Sequence, residues 1–173
     1  MLRWYELAWV PGLLQTEAYA RAVFGADGQL TAEEIEARVA DRLSRQARLT
    51  GEHPPQLIVV LDETLLRRPV GGPAVMREQV YHLARLNAED RRIRIYVVRT
   101  SVGACIGLDG TFILATLPGG EEVAYLGDRI AGRVTERMAD IVLVRQHWEE
   151  TLAEALTLQQ STDLMIEVAK SWM

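Results

Sequence analysis

A single cysteine, Cys105, excludes an internal disulfide framework, so packing alone must hold the core, and the chain suits a reducing cytoplasm. The three histidines, His53, His82 and His147, lie far apart, and no Cys-x-x-Cys or Glu-x-x-His pair accompanies them. Neither a metal nor a cofactor is therefore expected. No apolar run approaches the roughly 20 residues of a membrane helix. The first ten residues carry Arg3, Glu6 and two tryptophans and do not read as a signal peptide, so no membrane partner is expected. The Gly-x-Ser-x-Gly turn of hydrolases is missing, and Gly71-Gly72 lacks the wider spacing and the Lys-Ser/Thr of a phosphate loop. A basic excess is lacking too. With 24 acidic against 19 basic residues and a net charge of -5, the chain has no overall phosphate-binding surface, and no direct nucleic-acid binding is expected.

What is there reads as one α/β domain over residues 1–173. Internal repeats, low-complexity tracts and linkers are absent from the sequence, and 49% hydrophobic with 25% charged residues is an ordinary globular balance. Val10-Pro11-Gly12 punctuates the start, and 13–24 reads as a short helix stopped by Gly25. Thr31 opens the next helix with a capping box, Glu34 lying three residues on, and Ile35, Val39 and Leu43 share one face. Residues 57–61 form a continuous apolar run, the mark of a buried strand, and a helical turn at 63–68 follows. A helix at 74–87 and an alternating strand at 93–98 complete a strand-helix-strand crossover, which predicts parallel pairing. Pro118-Gly119-Gly120 between 111–117 and 122–126 signals a hairpin. A long helix at 131–158 and a last one at 162–172, capped by Ser161, end the chain. The expected fold is a mixed sheet of about four strands, one parallel crossover plus a hairpin, flanked by N-terminal and C-terminal helices.

The most informative segment runs from Asp62 to Met76. It leaves the carboxyl end of a parallel strand, where open α/β sheets place ligands. Asp62, Glu63, Arg67, Arg68, Gly71, Gly72 and Met76 are candidate ligand- or partner-binding residues there, the arginines suited to an anion or an acidic side chain. The plainer alternative is a local Glu63–Arg67 pair at helical spacing with Gly71-Gly72 turning the chain. A second candidate surface is the basic row on the capped helix, where Arg42, Arg45 and Gln46, with Arg38 and Arg48, face a partner or stay solvated. Cys105, in a small-residue loop, reads as a structural cysteine, since no base lies beside it in sequence. Trp4, Trp9, Trp148 and Trp172 read as packing residues rather than a stacking platform, with a dimer surface or paired chain ends as one consequence.

Over nearly the whole length, these patterns resemble a known family. Val10-Pro11-Gly12-Leu13-Leu14-Gln15-Thr16-Glu17-Ala18-Tyr19-Ala20-Arg21 resembles the opening motif of a domain of unknown function. Actinobacterial regulators, some antitoxin-like, carry that domain after an Xre-type helix-turn-helix. Arg42-Leu43-Ser44-Arg45-Gln46 with Leu49, Val60-Leu61-Asp62-Glu63 through Leu66 to Gly72 with Val75-Met76, and Gly110-Thr111-Phe112-Ile113-Leu114 follow in the family's order. Ala155-Leu156 with Ser161 resembles its close. The family shows an acidic residue after the tyrosine of its last strand, whereas here Tyr125 is followed by Leu126-Gly127-Asp128.

The resemblance implies the effector domain of a transcription regulator, without established catalytic residues and often encoded beside a small acidic partner protein. On this reading the DNA-binding helix-turn-helix is absent from this chain, and the protein is a cytoplasmic, homodimeric non-enzyme that binds a small-molecule effector or a protein. Two other functions compete with it. A small-molecule enzyme would bring Asp62, Glu63 and Arg67 together in a deep cleft. A purely structural dimerisation module would show a large apolar interface and no ligand-sized pocket.

Overall fold

The frame of the structure, a computed structural model that describes residues 1–104, 106–127 and 131–173, is a mixed sheet of six strands in the order β3-β2-β1-β4-β5-β6. The strands are β1 (Leu2–Glu6), β2 (Leu57–Asp62), β3 (Ile93–Val98), β4 (Phe112–Thr116), β5 (Glu122–Leu126) and β6 (Arg133–Thr135). β1, β2 and β3 run parallel, as the crossover reading requires, and β4, β5 and β6 continue the sheet antiparallel. Helices α1 (Glu17–Gly25) and α2 (Ala32–Gln46) connect β1 to β2, and α3 (Glu63–Arg67) and α4 (Pro73–Glu89) connect β2 to β3. α5 (Met138–Ala153) and α6 (Leu158–Ser171) close the chain. This is a single α/β domain with two packed layers of helix around the sheet.

The alternation of strand side chains divides the core in two. Val59 and Leu61 of β2 and Ile95 and Val97 of β3 pack on Met76, Val80 and Leu83 of α4 and on Leu164 and Met165 of α6. Tyr5, Val60, Phe112, Leu114 and Ala124 point the other way, onto Ile141, Val144 and Trp148 of α5. Edge strand β3 is finished by side chains. Asn87 of α4 accepts from the Ile95 N–H (2.7 Å) and donates to the Ile95 carbonyl (3.0 Å), while the Val97 N–H donates to Ser161 (3.1 Å). These bonds occupy backbone groups that would otherwise offer a pairing edge.

The sheet has six strands rather than about four, and the two additions have separate causes. β1 is fixed by long-range partners, β2 on one side and β4 on the other. β6 lies inside the stretch expected as one helix over 131–158. Gly132 at φ +63° takes the backbone out of the helical region, the chain extends to pair Val134 with Tyr125, and helix resumes only at Met138. Val134, on this short strand, is 63% exposed. The last helix starts earlier than expected. Thr157 caps α6 in a capping box with Gln160, and Ser161, the expected cap, is wholly buried against β3. The first helix starts later: residues Gly12–Leu14 form a separate 3-10 turn, and Thr16 caps α1. The Thr31–Glu34 capping box of α2 stands as read. Cys105 and Asp128 lie outside the described residues.

One ion cluster links β1, β5 and α5. The Glu122 carboxylate accepts from Arg3 at 2.7 Å and also from Arg145, and its side chain is 11% exposed. The Arg145 hydrogen bond, and then the charges of Arg145 and Arg3, hold this carboxyl below its ordinary value. A depressed folded pKa stabilises above the unfolded pKa of about 4.3 and ceases to do so as pH falls through the folded value. Glu122→Gln should therefore cost about 1–2 kcal/mol at pH 7, a range reduced for the solvent around Arg145, and close to nothing near pH 2. Urea melts at the two pH values would check this, and an equal cost at both would refute the ionic origin.

Candidate functional site

The Asp62–Met76 segment is tied down locally. Asp62, buried at the carboxyl end of β2, caps α3 by accepting from the Thr64 N–H at 2.8 Å. Glu63 accepts from Arg67 Nε at 3.0 Å, one helical turn on, and from the Thr100 N–H at 3.3 Å. The two carboxylates thus serve the α3 turn and its neighbour rather than converging with Arg67 on a cleft. Arg68 is exposed, and Met76 is fully buried in the core beneath α4. Gly71 and Gly72 have φ of +69° and +90°, and a Cβ on Gly71 would come within 2.7 Å of the Ala22 side chain. The pair turns the chain against α1, a conformation and a closeness that favour glycine.

The α2 candidates take two roles. Arg42 is half-buried. It donates to Gln15 Oε1 at 2.8 Å, lies 4.6 Å above the Phe24 ring and rests against the Cα side of Gly12. Burial pushes its guanidinium down from the ordinary value, with Arg45 adding to the effect. Gln46 donates to the carbonyls of Gly12 (3.0 Å) and Gln15 (2.7 Å), and Gln15 itself donates to the Val10 carbonyl (2.7 Å). From the other side, buried Gln79 of α4 donates to the Leu14 carbonyl (2.9 Å) and accepts from the Thr16 N–H (2.7 Å). The Pro11-Gly12-Leu13-Leu14-Gln15 motif and the Arg42–Gln46 motif are therefore two halves of one clamp. Arg45, exposed and paired with Asp41 at 2.6 Å, reaches outward from it.

That clamp forms one wall of a groove, and the sheet forms the other. Cross-strand register sets Trp4, Ile113 and Tyr125 side by side on one face of β1, β4 and β5, and all three are only half-buried. Between this face and α2 lie two concavities, of about 1090 Å³ and about 500 Å³, which share Leu13 and Arg45. The larger lies against the start of β1 and the β4–β5 turn, with Leu2, Arg48, Ala115 and Leu117 in its lining. The smaller lies nearer the carboxyl end of β1, among Trp4, Trp9, Tyr125, Arg42 and Glu6. Glu6 is buried and accepts from the Leu7 and Ala8 N–H groups and from the Thr111 hydroxyl at 2.6 Å. Trp9, expected as a packing residue, is 42% exposed, and Trp4 Nε1 is buried without a hydrogen-bond partner. Volumes of this order, apolar walls and a few polar groups are the usual make-up of a ligand site.

Of the basic row and the 62–76 segment singled out from sequence, the groove gathers Arg42, Arg45 and Arg48, with Gln46 fixing its wall; the 62–76 segment lines neither concavity. Trp4, Glu6, Trp9 and Tyr125 enter as new site residues, and Gln79 as a new support. Among the described residues, no group of three or more His, Cys, Asp or Glu side chains is placed to hold a metal, and no helix is long and apolar enough to cross a membrane.

Residues 1–167 match the model of a family described as a domain of unknown function (DUF5753). No curated protein and no solved structure matches the chain.

Proposed function

The chain belongs to that family of domains of unknown function, and from this premise we propose that it is the regulatory domain of a cytoplasmic helix-turn-helix transcription regulator. The groove between α2 and the β1–β4–β5 face is its binding site, for a small-molecule effector or a small acidic partner protein. The observation that carries this reading is the groove itself: an open, largely apolar sheet face opposed by Arg42, Arg45 and Arg48. The ordered resemblance to regulator-linked domains supplies its context. Occupancy would act through the 10–16 loop, because that loop lines the groove and is bonded to α2 and α4 at once. The domain works by binding rather than turnover.

Self-association is the second part of the proposal. Met138, Val142 and Leu143 of α5 are all more than half exposed and offer apolar surface suited to a second copy. A thermal-shift screen of the chain against a metabolite panel, with mass spectrometry of the mixtures and sedimentation velocity of the protein, tests both parts. The expected result is at least one compound that raises the Tm by several degrees, stays chemically unchanged, and, in the full-length regulator, alters operator affinity about fivefold or more. A monomer that no compound stabilises, or a compound that is converted, would overturn the reading.

A further inference from the structure

We propose that the smaller concavity is the specific effector subsite and that it takes a planar aromatic anion, such as a polycyclic carboxylate. This rests on the reading of the groove as a binding site and names the ligand class. Aromatic groups line it: Trp4 of β1 and Tyr125 of β5 flank Ile113 of the intervening β4 on the sheet face, and the partly exposed Trp9 lies on the segment after β1. Flat rings offer a planar ligand large contact area for little lost side-chain freedom. The charged groups facing the space are Arg42, Arg45 and Glu6.

The three differ in what remains for a ligand. The Glu6 carboxylate accepts from two backbone N–H groups and the Thr111 hydroxyl, all through Oε1, so an anion belongs on the arginine side of the space, away from it. Arg42 makes one hydrogen bond among the described residues, through Nη1 to Gln15, and its guanidinium has five N–H donors. Arg45 is an exposed guanidinium whose only ion pair among the described residues is the surface contact with Asp41, a kind that gives way readily. Two guanidiniums thus offer donors to an anion, and a ligand carboxylate suits their fork geometry. A ligand with aromatic rings and a carboxylate answers both the aromatic lining and the guanidiniums. At about 500 Å³, the space admits a molecule of two or three fused rings and leaves little room for a long chain.

Naphthalene-2-carboxylate and its neutral counterpart 2-naphthalenemethanol, titrated calorimetrically into the whole chain, test this. Two variants at exposed positions, Arg45→Glu and Trp9→Ala, accompany them because neither position holds the core together. The expected result is saturable one-to-one binding of the carboxylate, about fivefold or more tighter than the alcohol. Arg45→Glu should abolish that preference, and Trp9→Ala should weaken both probes. Absence of saturable carboxylate binding, or binding indifferent to both variants, overturns the subsite. Equal binding of the two probes that Trp9→Ala weakens and Arg45→Glu leaves alone overturns the anionic class but leaves the groove reading standing. A metabolite stabilising the chain through other residues would likewise sink this inference and not the regulatory one.

Discussion

Gln79→Met should cost about 2–4 kcal/mol of stability while leaving the helix that carries it intact. Methionine nearly matches glutamine in volume and helix propensity, so neither a cavity nor a propensity penalty enters. What goes is the pair of bonds from the amide to the Leu14 carbonyl and the Thr16 N–H. Gln79 is wholly buried, and the loop it serves has Leu14 and Gln15 buried beside it, so water cannot replace both contacts. Two buried backbone groups left without a partner cost about 1–3 kcal/mol each, and relaxation of the loop keeps the sum in the lower half of that span. The loss should also be local. Amide exchange over 10–16 should accelerate, and Arg42 and Gln46, the opposite half of the clamp, should hold the loop less well. Denaturant melts and hydrogen exchange would measure both effects. A cost below about 0.5 kcal/mol, or unaltered exchange in the loop, would mean that the clamp is held by α2 alone.

The same residue shows why the site was only half legible in the sequence. Arg42, Arg45 and Gln46 stood out because a row of like side chains on a capped helix is a local pattern. Gln79 is a single polar residue between core positions of α4, and its partners lie more than sixty residues earlier in the chain. The Asp62–Met76 segment stood out for its density of charge, yet that density is satisfied within α3 and its immediate neighbour. The groove draws on β1, the loop after it, α2, β4 and β5. Without β1 in the expected sheet, nothing could set Trp4 beside Ile113 and Tyr125.

Legibility of the fold follows the same division between local and distant causes. The β2–β3 crossover, the β4–β5 hairpin and the α2 capping box are written in runs, turn residues and caps within a few positions. β1 carries apolar residues toward both faces, Leu2 and Trp4 one way and Tyr5 the other, because helices cover both sides of the sheet. Its pattern therefore resembles neither an amphipathic strand nor a helix. β6 is three residues long, and Val134, Met138 and Ile141 mimic a helical stripe across its junction with α5. Two local signals did mark these places: Gly132 inside the supposed long helix, and Thr157 with Gln160 three residues on, a second capping box.

Trp148→Ala should be the most damaging single truncation on the far side of the sheet, at about 3–5 kcal/mol. α5 contributes only Ile141, Val144, Trp148 and Thr151 as buried residues, so the indole is the largest of the groups that dock it. Beneath it lie Tyr5 and Phe112, stacked with ring centroids 5.7 Å apart, and the small Ala124. Surrounding side chains cannot collapse into the space of an indole when the floor is a hydrogen-bonded sheet, so a cavity should persist. The opposite core, with α4 and α6 on β2 and β3, shares none of these contacts. Hydrogen exchange should therefore rise first in α5, and then in β4 and β5, while α4 and α6 keep their protection to higher denaturant. Because β4 and β5 also form the floor of the groove, probe binding there should weaken in the same variant. Uniform loss of protection across α4, α5 and α6 would show that the two cores unfold as one unit.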